Sequence, residues 1–249
     1  MKLLSSSNTT LDSGEKVQVS FYGKSTFIDT VAKTREVVEN LNVQGKRFCL
    51  LHPAPDQTGS GFQCVQYFQP STIIKADGVI LHEPGDVTLM QVAGCATVTF
   101  INKKTGQVGF VHAGRPALTP SCNGTWRTSI STTLQEMGVR TGQKVPDYIV
   151  AIVTQPVQTR LLCYDENPSL VANFLSLQNQ FPHYTLVNVE DRYTLDILVV
   201  IQCILIELYG FDKKRIVLCN VNKLSQEQDM AFRRRAEDTG LHNTVVVVR

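Results

Sequence analysis

Cys95 and His112 are the residues of this sequence whose types and spacing best suit chemistry. They stand at the outer ends of two apolar segments joined by the short polar loop 102–105. If Ile101 pairs with Gly106 across this loop, Cys95 faces His112, and directly opposed residues of a hairpin have Cβ atoms about 4.5–5.5 Å apart. An imidazolium beside a thiol favours the nucleophilic thiolate, and the same pair can bind zinc. Spacing alone leaves a structural role open, because free cysteine is usually buried as a small apolar residue.

Short strands must position these two side chains. Apolar alternation between turn signals predicts strands, which are placed at 16–22, 47–51, 62–68, 78–81, 87–92, 96–101, 107–112, 148–153, 216–218 and 244–248. Helical periodicity predicts helices at 30–41, 125–137, 169–178, 195–209 and 225–237. Asp29 is the predicted N-cap of the first helix. The helix 195–209 is apolar nearly all round, so we expect it to be buried, with Thr194 capping it and Gly210 ending it in the left-handed conformation.

Composition limits the class of protein. With 249 residues and 43% hydrophobic content, the chain can bury a large core, and we expect residues 16–249 to form one domain. Its 24 basic and 22 acidic residues leave a net charge of +2, too small to predict nucleic-acid binding. Residues 1–15 lack the apolar stretch of a secretory signal and are expected to be a disordered tail. The segment 195–208 is too short and too polar to span a membrane.

Cysteine usage indicates the compartment. The seven cysteines show no C-x-x-C spacing, and an odd number cannot all pair within one chain. A reducing, cytoplasmic location is therefore expected.

One stretch of the sequence carries recognisable motifs. It reads A-D-G-V-I at 76–80, P-G at 84–85, V-A-G-C at 92–95 and T-G-Q-V-G-F-V-H-A-G at 105–114. This stretch resembles the YfiH-type laccase-domain family without a gap, and the likeness is looser over the rest of the chain. The family pattern is A-D-(A/G)-x-(I/V), P-G, T-A-D-C and G-V-(I/V)-G-x-x-H-A-G-W.

The sequence also departs from that pattern. The family aspartate before the cysteine is Gly94 here, and the family tryptophan after H-A-G is Arg115. Trp126 and Arg127 correspond to a displaced W-R pair after an insertion. The first metal-binding histidine of the family corresponds to His52 after a two-residue slip.

The resemblance implies a fold, an activity and a ligand set. The fold would be a layered α/β/β/α sandwich with mixed sheets, shared with toxin-type cysteine deamidases. The activity would be zinc-dependent phosphorolysis of purine nucleosides such as adenosine, with adenosine deamination as a side activity and a bacterial branch linked to editing of peptidoglycan precursors. Zinc would be bound by Cys95, His112 and His52, and phosphate by Arg35 and Arg127. Because the third ligand needs the slip at His52, we expect at most one zinc per chain, weakly held. The partners would be small molecules, a purine nucleoside and phosphate.

The older copper oxidase label suits this sequence poorly. Four coppers with about three protein ligands each need roughly a dozen donors, mainly histidines. The chain has 5 histidines.

Two alternatives stay open at this point. In a cysteine hydrolase or deamidase, Cys95 would attack and His112 would act as base, and the pair Gly94-Cys95 resembles the toxin-type deamidases. A degenerate binding protein would keep the fold without catalysis. Metal content separates the first alternative from the zinc enzyme, and activity of any kind separates both from the second. The oligomeric state is left open.

Overall fold

Two six-stranded sheets organise the described part of the molecule. The computed structural model describes residues 1–42, 47–53, 65–92, 95–118, 128–142, 145, 149–155, 186–189, 192–195, 197–220 and 241–249. In spatial order, the first sheet comprises β1 (Lys2–Thr10), β2 (Lys16–Thr26), β14 (Leu241–Val248), β7 (Asp86–Val92), β3 (Arg47–His52) and β5 (Thr72–Lys75). The second comprises β13 (Ile216–Asn220), β10 (Ile149–Gln155), β8 (Ala96–Asn102), β9 (Val108–Ala113), β6 (Gly78–Leu81) and β4 (Val65–Tyr67).

Smaller elements complete the described part of the chain. A separate hairpin pairs β11 (Leu186–Val189) with β12 (Arg192–Leu195). The helices are α1 (Val31–Asn40), α2 (Arg115–Leu118), α3 (Ser129–Glu136) and α4 (Ile197–Cys203). A π-helical turn, Ile204–Leu208, extends α4, and a 3-10 turn covers Lys213–Arg215. None of the described helices is both long and apolar enough to cross a membrane.

Both large sheets mix parallel and antiparallel neighbours. In the first sheet β3 runs parallel to β5 and β7, whereas β14 is antiparallel to β2 and β7. In the second sheet β10 is parallel to β13 and antiparallel to β8. The sheets are mixed, as the resemblance implied.

Three apolar clusters show how the layers stack. Phe21 and Met90 of the first sheet meet Phe110 of the second in the cluster between the sheets. Val38 of α1 covers the outer face of the first sheet. Leu134 of α3 lies with α4 in the cluster on the outer face of the second sheet. This arrangement confirms the α/β/β/α sandwich.

The prediction that residues 1–15 form a disordered tail is wrong. Residues 2–10 form the edge strand β1, which pairs antiparallel with β2. Leu4 and Leu11 are buried and anchor the two ends of this segment in the cluster between the sheets. The run of Ser, Asn and Thr has little apolar character, but an edge strand needs backbone pairing on one side only.

The β8–β9 hairpin has the predicted strands in a different register. Ile101 pairs with Val108 rather than Gly106, so Thr97 is the residue opposite His112. The loop has four residues as predicted, but they are 103–106, because Gly106 adopts a φ of 73° and belongs to the turn. The Asn102 side chain stabilises this turn by accepting from the amides of Lys104 and Thr105.

The helices differ from the predictions mainly at their ends. Thr30, not Asp29, caps α1, because its hydroxyl accepts from the Lys33 amide while Asp29 forms an ion pair with Lys33 at 2.8 Å. The buried helix predicted at 195–209 begins at Ile197, and Gly210 follows it with a φ of 66°. The predicted helices 169–178 and 225–237 lie outside the described residues.

Candidate active site

One pocket of about 250 Å³ opens where strands of the two sheets end. It lies at the ends of β3, β7 and β9 and at the start of β8. Its apolar side chains are Ile28, Leu50, Leu51, Pro53 and Val92. Its remaining lining residues, which can stack, hydrogen bond or react, are Phe27, His52, Gln91, Cys95, His112 and His242.

Cys95 and His112 meet at this pocket. Cys95 precedes β8, and continuing the hairpin register places it opposite Gly114, diagonal to His112 on the same face. Diagonal neighbours lie farther apart than directly opposed ones but stay within reach of long side chains. The Cys95 side chain forms a hydrogen bond with the His112 ring. The observed register therefore preserves the predicted contact.

Gly114 makes room for this contact. A Cβ atom at this position would lie 2.6 Å from His112 Nε2 and 3.0 Å from Cys95 Sγ. The imidazole and the thiol therefore both lie against the backbone at Gly114, and only glycine leaves space for them there.

Asp77 holds the other side of the imidazole. Its Oδ1 lies 3.2 Å from His112 Nδ1, which leaves Nε2 for Cys95. The His112 amide donates to the Asp77 carbonyl at 2.7 Å, and the Ser129 hydroxyl donates to the His112 carbonyl at 2.8 Å. Both the backbone and the ring of His112 are thereby fixed.

The protonated form of His112 is stabilised. Burial, with 8% of the residue exposed, opposes protonation. Hydrogen bonds and charge interactions with Asp77 and Cys95 outweigh burial and raise the pKa of His112 to about 9. A protonated imidazole beside a thiol stabilises the thiolate, so the pair suits proton transfer and electrostatic stabilisation.

Sequence reasoning missed Asp77 as a site residue. It precedes β6, the strand paired with β9, and its position next to His112 depends on that long-range pairing. The usable signal was the A-D-G motif itself, because a carboxylate directly before a fully buried strand needs a polar partner inside the fold.

Two further histidines line the pocket. His52, at the end of β3, contacts Phe27 edge-on with ring centroids 5.9 Å apart. The ring centroid of His242, at the start of β14, lies 5.2 Å from that of Phe27, although no sequence pattern assigned His242 a role. The structure thus brings His52 to the pocket of Cys95 and His112.

The zinc site implied by the resemblance is only partly assembled. Catalytic zinc has three protein ligands, and metal-bound histidines commonly donate their second nitrogen to a carboxylate. Cys95 and His112 would occupy two of the three ligand positions, and Asp77 would be the carboxylate that accepts from the second nitrogen of His112. Within the described ranges, however, no group of three or more His, Cys, Asp or Glu side chains is placed to hold a metal ion. His52 shares the pocket without completing such a group, so the described residues do not fit a full zinc site.

The pocket is not lined by Arg35, one of the two residues predicted to bind phosphate. Arg35 is exposed on α1, where its guanidinium lies 5.7 Å from the centre of the Phe48 ring, and it does not line the pocket. Thr34 and Val38 are the buried residues of this helix, so Arg35 lies on its exposed side. Arg127 lies outside the described residues.

Comparison with solved structures shows the same fold. The chain is similar to Bacillus licheniformis hypothetical protein YfiH, with a TM-score of 0.68 and 14% identity over 94% of this chain and 93% of that one. It is similar to Neisseria meningitidis protein NMB0706, with a TM-score of 0.67 and 14% identity over 100% and 99% of the two chains. The chain is also similar to YlmD from Geobacillus stearothermophilus, with a TM-score of 0.62 and 14% identity over 94% of this chain and 92% of that one. No curated protein sequence matches the chain.

The family of the chain is identified by comparing its sequence with a family model. Residues 28–249 match the family model described as multi-copper polyphenol oxidoreductase laccase. The match includes the motif segment 76–114 with Asp77, Cys95 and His112. The chain therefore belongs to this laccase-domain family, as a divergent member of its YfiH type.

Proposed function

We propose that the chain is a purine nucleoside phosphorylase-like enzyme that cleaves adenosine or a related nucleoside with phosphate. Cys95 and His112 are its catalytic residues, and Asp77 is a positioning residue. The observation that carries this proposal is the hydrogen-bonded series Cys95–His112–Asp77, which ends in a pocket with aromatic side chains.

The residues suit the bond changes of phosphorolysis. The bond between C1′ of ribose and the base nitrogen breaks, and a bond from C1′ to a phosphate oxygen forms. Protonated His112 gives its proton to the departing base and regains one from the attacking dihydrogen phosphate. In this proposal the Cys95 thiolate stabilises the positive charge that develops on the ribose, and the imidazolium attracts the phosphate.

The pocket suits a small, partly aromatic substrate. Its volume of about 250 Å³ falls slightly below the range of drug-sized pockets, roughly 300–1,000 Å³. Apolar and aromatic side chains with a few convergent polar groups are typical of ligand sites.

Turnover is expected to be slow. The family aspartate beside the cysteine is Gly94 in this chain. Loss of a group that orients a catalytic or metal-binding side chain commonly costs about 10- to 100-fold. Arg35, which lies away from the pocket, does not compensate for it.

The proposal is tested with adenosine, inosine and guanosine, each incubated with and without phosphate and with zinc supplied. Chromatography follows the free base. We expect base release that requires phosphate and disappears in Cys95→Ala and His112→Ala. Equal base release by wild type and both variants, or no base release at all, would rule out the proposed phosphorylase activity.

A cysteine deamidase is the second candidate, and one observation favours it. The order of contacts, thiol to imidazole to carboxylate, is that of enzymes in which histidine activates a cysteine nucleophile. Cys95 would attack a carboxamide carbon, His112 would protonate the leaving ammonia, and water would then release the acid. Ammonia release from glutamine peptides, lost in Cys95→Ala while nucleosides stay intact, would establish this candidate in place of the first.

A further inference from the structure

The outer wall of the pocket is aromatic and open to solvent. Phe27 is 41% exposed although its side chain is large and apolar. Its ring centroid lies 5.9 Å from that of His52, which it meets edge-on, and 5.2 Å from that of His242, whose ring is tilted by 42°. Phe27 also lies one residue before the segment that matches the family model, so the family likeness gives it no role.

Gln91 fixes the backbone on both sides of this ring. The Ile28 amide donates to its side-chain oxygen at 2.7 Å, and its side-chain nitrogen donates to the Thr26 carbonyl at 2.8 Å. Strand β2 ends at Thr26, so backbone pairing no longer constrains Phe27. The side chain of Gln91 replaces the missing strand contacts.

The same hydrogen-bond network reaches the second aromatic contact. Gln91 donates to the Ser25 hydroxyl at 2.9 Å, and that hydroxyl donates to the His242 carbonyl at 3.1 Å. Ser25 is buried and also lies 2.6 Å from the Thr244 hydroxyl. The backbone around Phe27 and His242 is thus held by one network, which fixes where the partly exposed Phe27 ring lines the pocket of Cys95 and His112.

We propose that Phe27, with His52 and His242, forms a stacking wall for a planar heteroaromatic base, and that Gln91 is the positioning residue of this wall. The choice of a purine as the base rests on the proposed function, whereas the stacking wall follows from the contacts themselves. Any flat base can stack on an aromatic side chain. The affinity of the stacking wall for a ligand should therefore depend on the base and not on the sugar.

Binding to a chain that cannot react separates this inference from catalysis. Calorimetry on Cys95→Ala would use three probes: adenine, adenosine and ribose 5-phosphate. Adding Phe27→Leu should weaken both purine probes about tenfold or more, since stacking on one aromatic side chain contributes that much, and leave ribose 5-phosphate unchanged. Adding Phe27→Trp should restore purine binding.

Tyr67→Leu provides the matched control. Tyr67 is 52% exposed and stacks on His82, but it lies on β4 of the other sheet and does not line the pocket. This variant should bind all three probes like its parent. Equal losses in Phe27→Leu and Tyr67→Leu, or none in either, would overturn the stacking wall.

Gln91→Met tests the positioning role. The variant keeps the length of the side chain but loses both hydrogen bonds around Phe27. We expect weaker adenine binding with ribose 5-phosphate binding unchanged, and in active protein a raised KM with kcat within about twofold. A purely structural role would weaken all probes together, and an unchanged adenine affinity would show that Gln91 does not position the wall.

The outcomes for the two proposals stay distinct. If nucleosides are cleaved but Phe27→Leu binds adenine like the parent, the phosphorylase stands and the stacking wall fails. If adenine binds through Phe27 but no nucleoside is cleaved, the wall stands and the phosphorylase fails.

Discussion

At the scale of single residues, the imidazole of His112 connects the other two groups of the site. It contacts Cys95 on one side and Asp77 on the other, and these contacts raise its pKa to about 9. Because the folded pKa exceeds the unfolded value of 6.5, the stability that these contacts supply is fully present below pH 6.5 and is lost as pH rises through about 9.

Replacing Asp77 tests this electrostatic arrangement. In Asp77→Asn the carboxylate charge is lost while burial remains, so the pKa of His112 should fall below its wild-type value. NMR titration of the His112 ring in metal-free protein measures this change. Activity should drop at least about tenfold, because the ring loses its orientation. An unchanged His112 titration in Asp77→Asn would contradict this role of Asp77.

Gly114→Ala tests the close approach of the Cys95 thiol to the His112 imidazole. The new methyl group would meet His112 Nε2 at 2.6 Å, so the imidazole or the thiol must move and activity should fall about tenfold or more. Gly109→Ala is the matched control, because its Cβ would meet Thr133 and Met137 at 2.6 and 2.7 Å, away from the pocket. Gly109→Ala should lower the unfolding temperature and preserve kcat. Full activity in Gly114→Ala would show that the contact does not matter.

At the scale of elements, the edge strand β1 is expected to contribute to stability. Leu4 is 8% exposed within it, whereas its neighbour Leu3 is 51% exposed. Leu4→Ala should lower the free energy of unfolding by about 2–3 kcal/mol, as for buried leucines. Leu3→Ala should stay within about 0.5 kcal/mol, as is usual at the surface. Urea denaturation measures both, and equal effects would indicate that β1 does not pack as described.

The sequence predicted the strands of the β8–β9 hairpin well but not their register. Apolar runs and turn residues mark where strands lie, and both strands fall within one residue of the prediction. The register depends on which residues form the loop, and Gly106 belongs to it because of its positive φ. The contact between Cys95 and His112 survived because a shift of two residues keeps side chains on the same face.

Other features could not be predicted from local pattern. The strand β1 has a polar sequence, and it forms because its backbone pairs with β2. Asp77 joins the site through the pairing of β6 with β9, and His242 through the position of β14 beside β7. Each of these depends on contacts between distant segments, which periodicity does not reveal.

At the scale of the whole molecule, the two sheets bring His52 and His242 of the first sheet to Cys95 and His112 of the second. Metal content is a property of this assembled pocket. Elemental analysis of the purified protein should find at most one zinc per chain, bound weakly, because two-ligand sites rarely hold zinc unaided. Several coppers per chain would contradict this prediction and support the oxidoreductase description of the family.

The most direct test of the central claim is the formation of ribose 1-phosphate from adenosine and phosphate, followed by phosphorus NMR. With wild-type protein the ester signal should grow as adenine is released in equal amount. The rate should fall at least about tenfold in Asp77→Asn and to background in Cys95→Ala and His112→Ala. Adenine release without the ester, or an ester signal that persists in Cys95→Ala, would contradict a phosphorylase centred on Cys95 and His112.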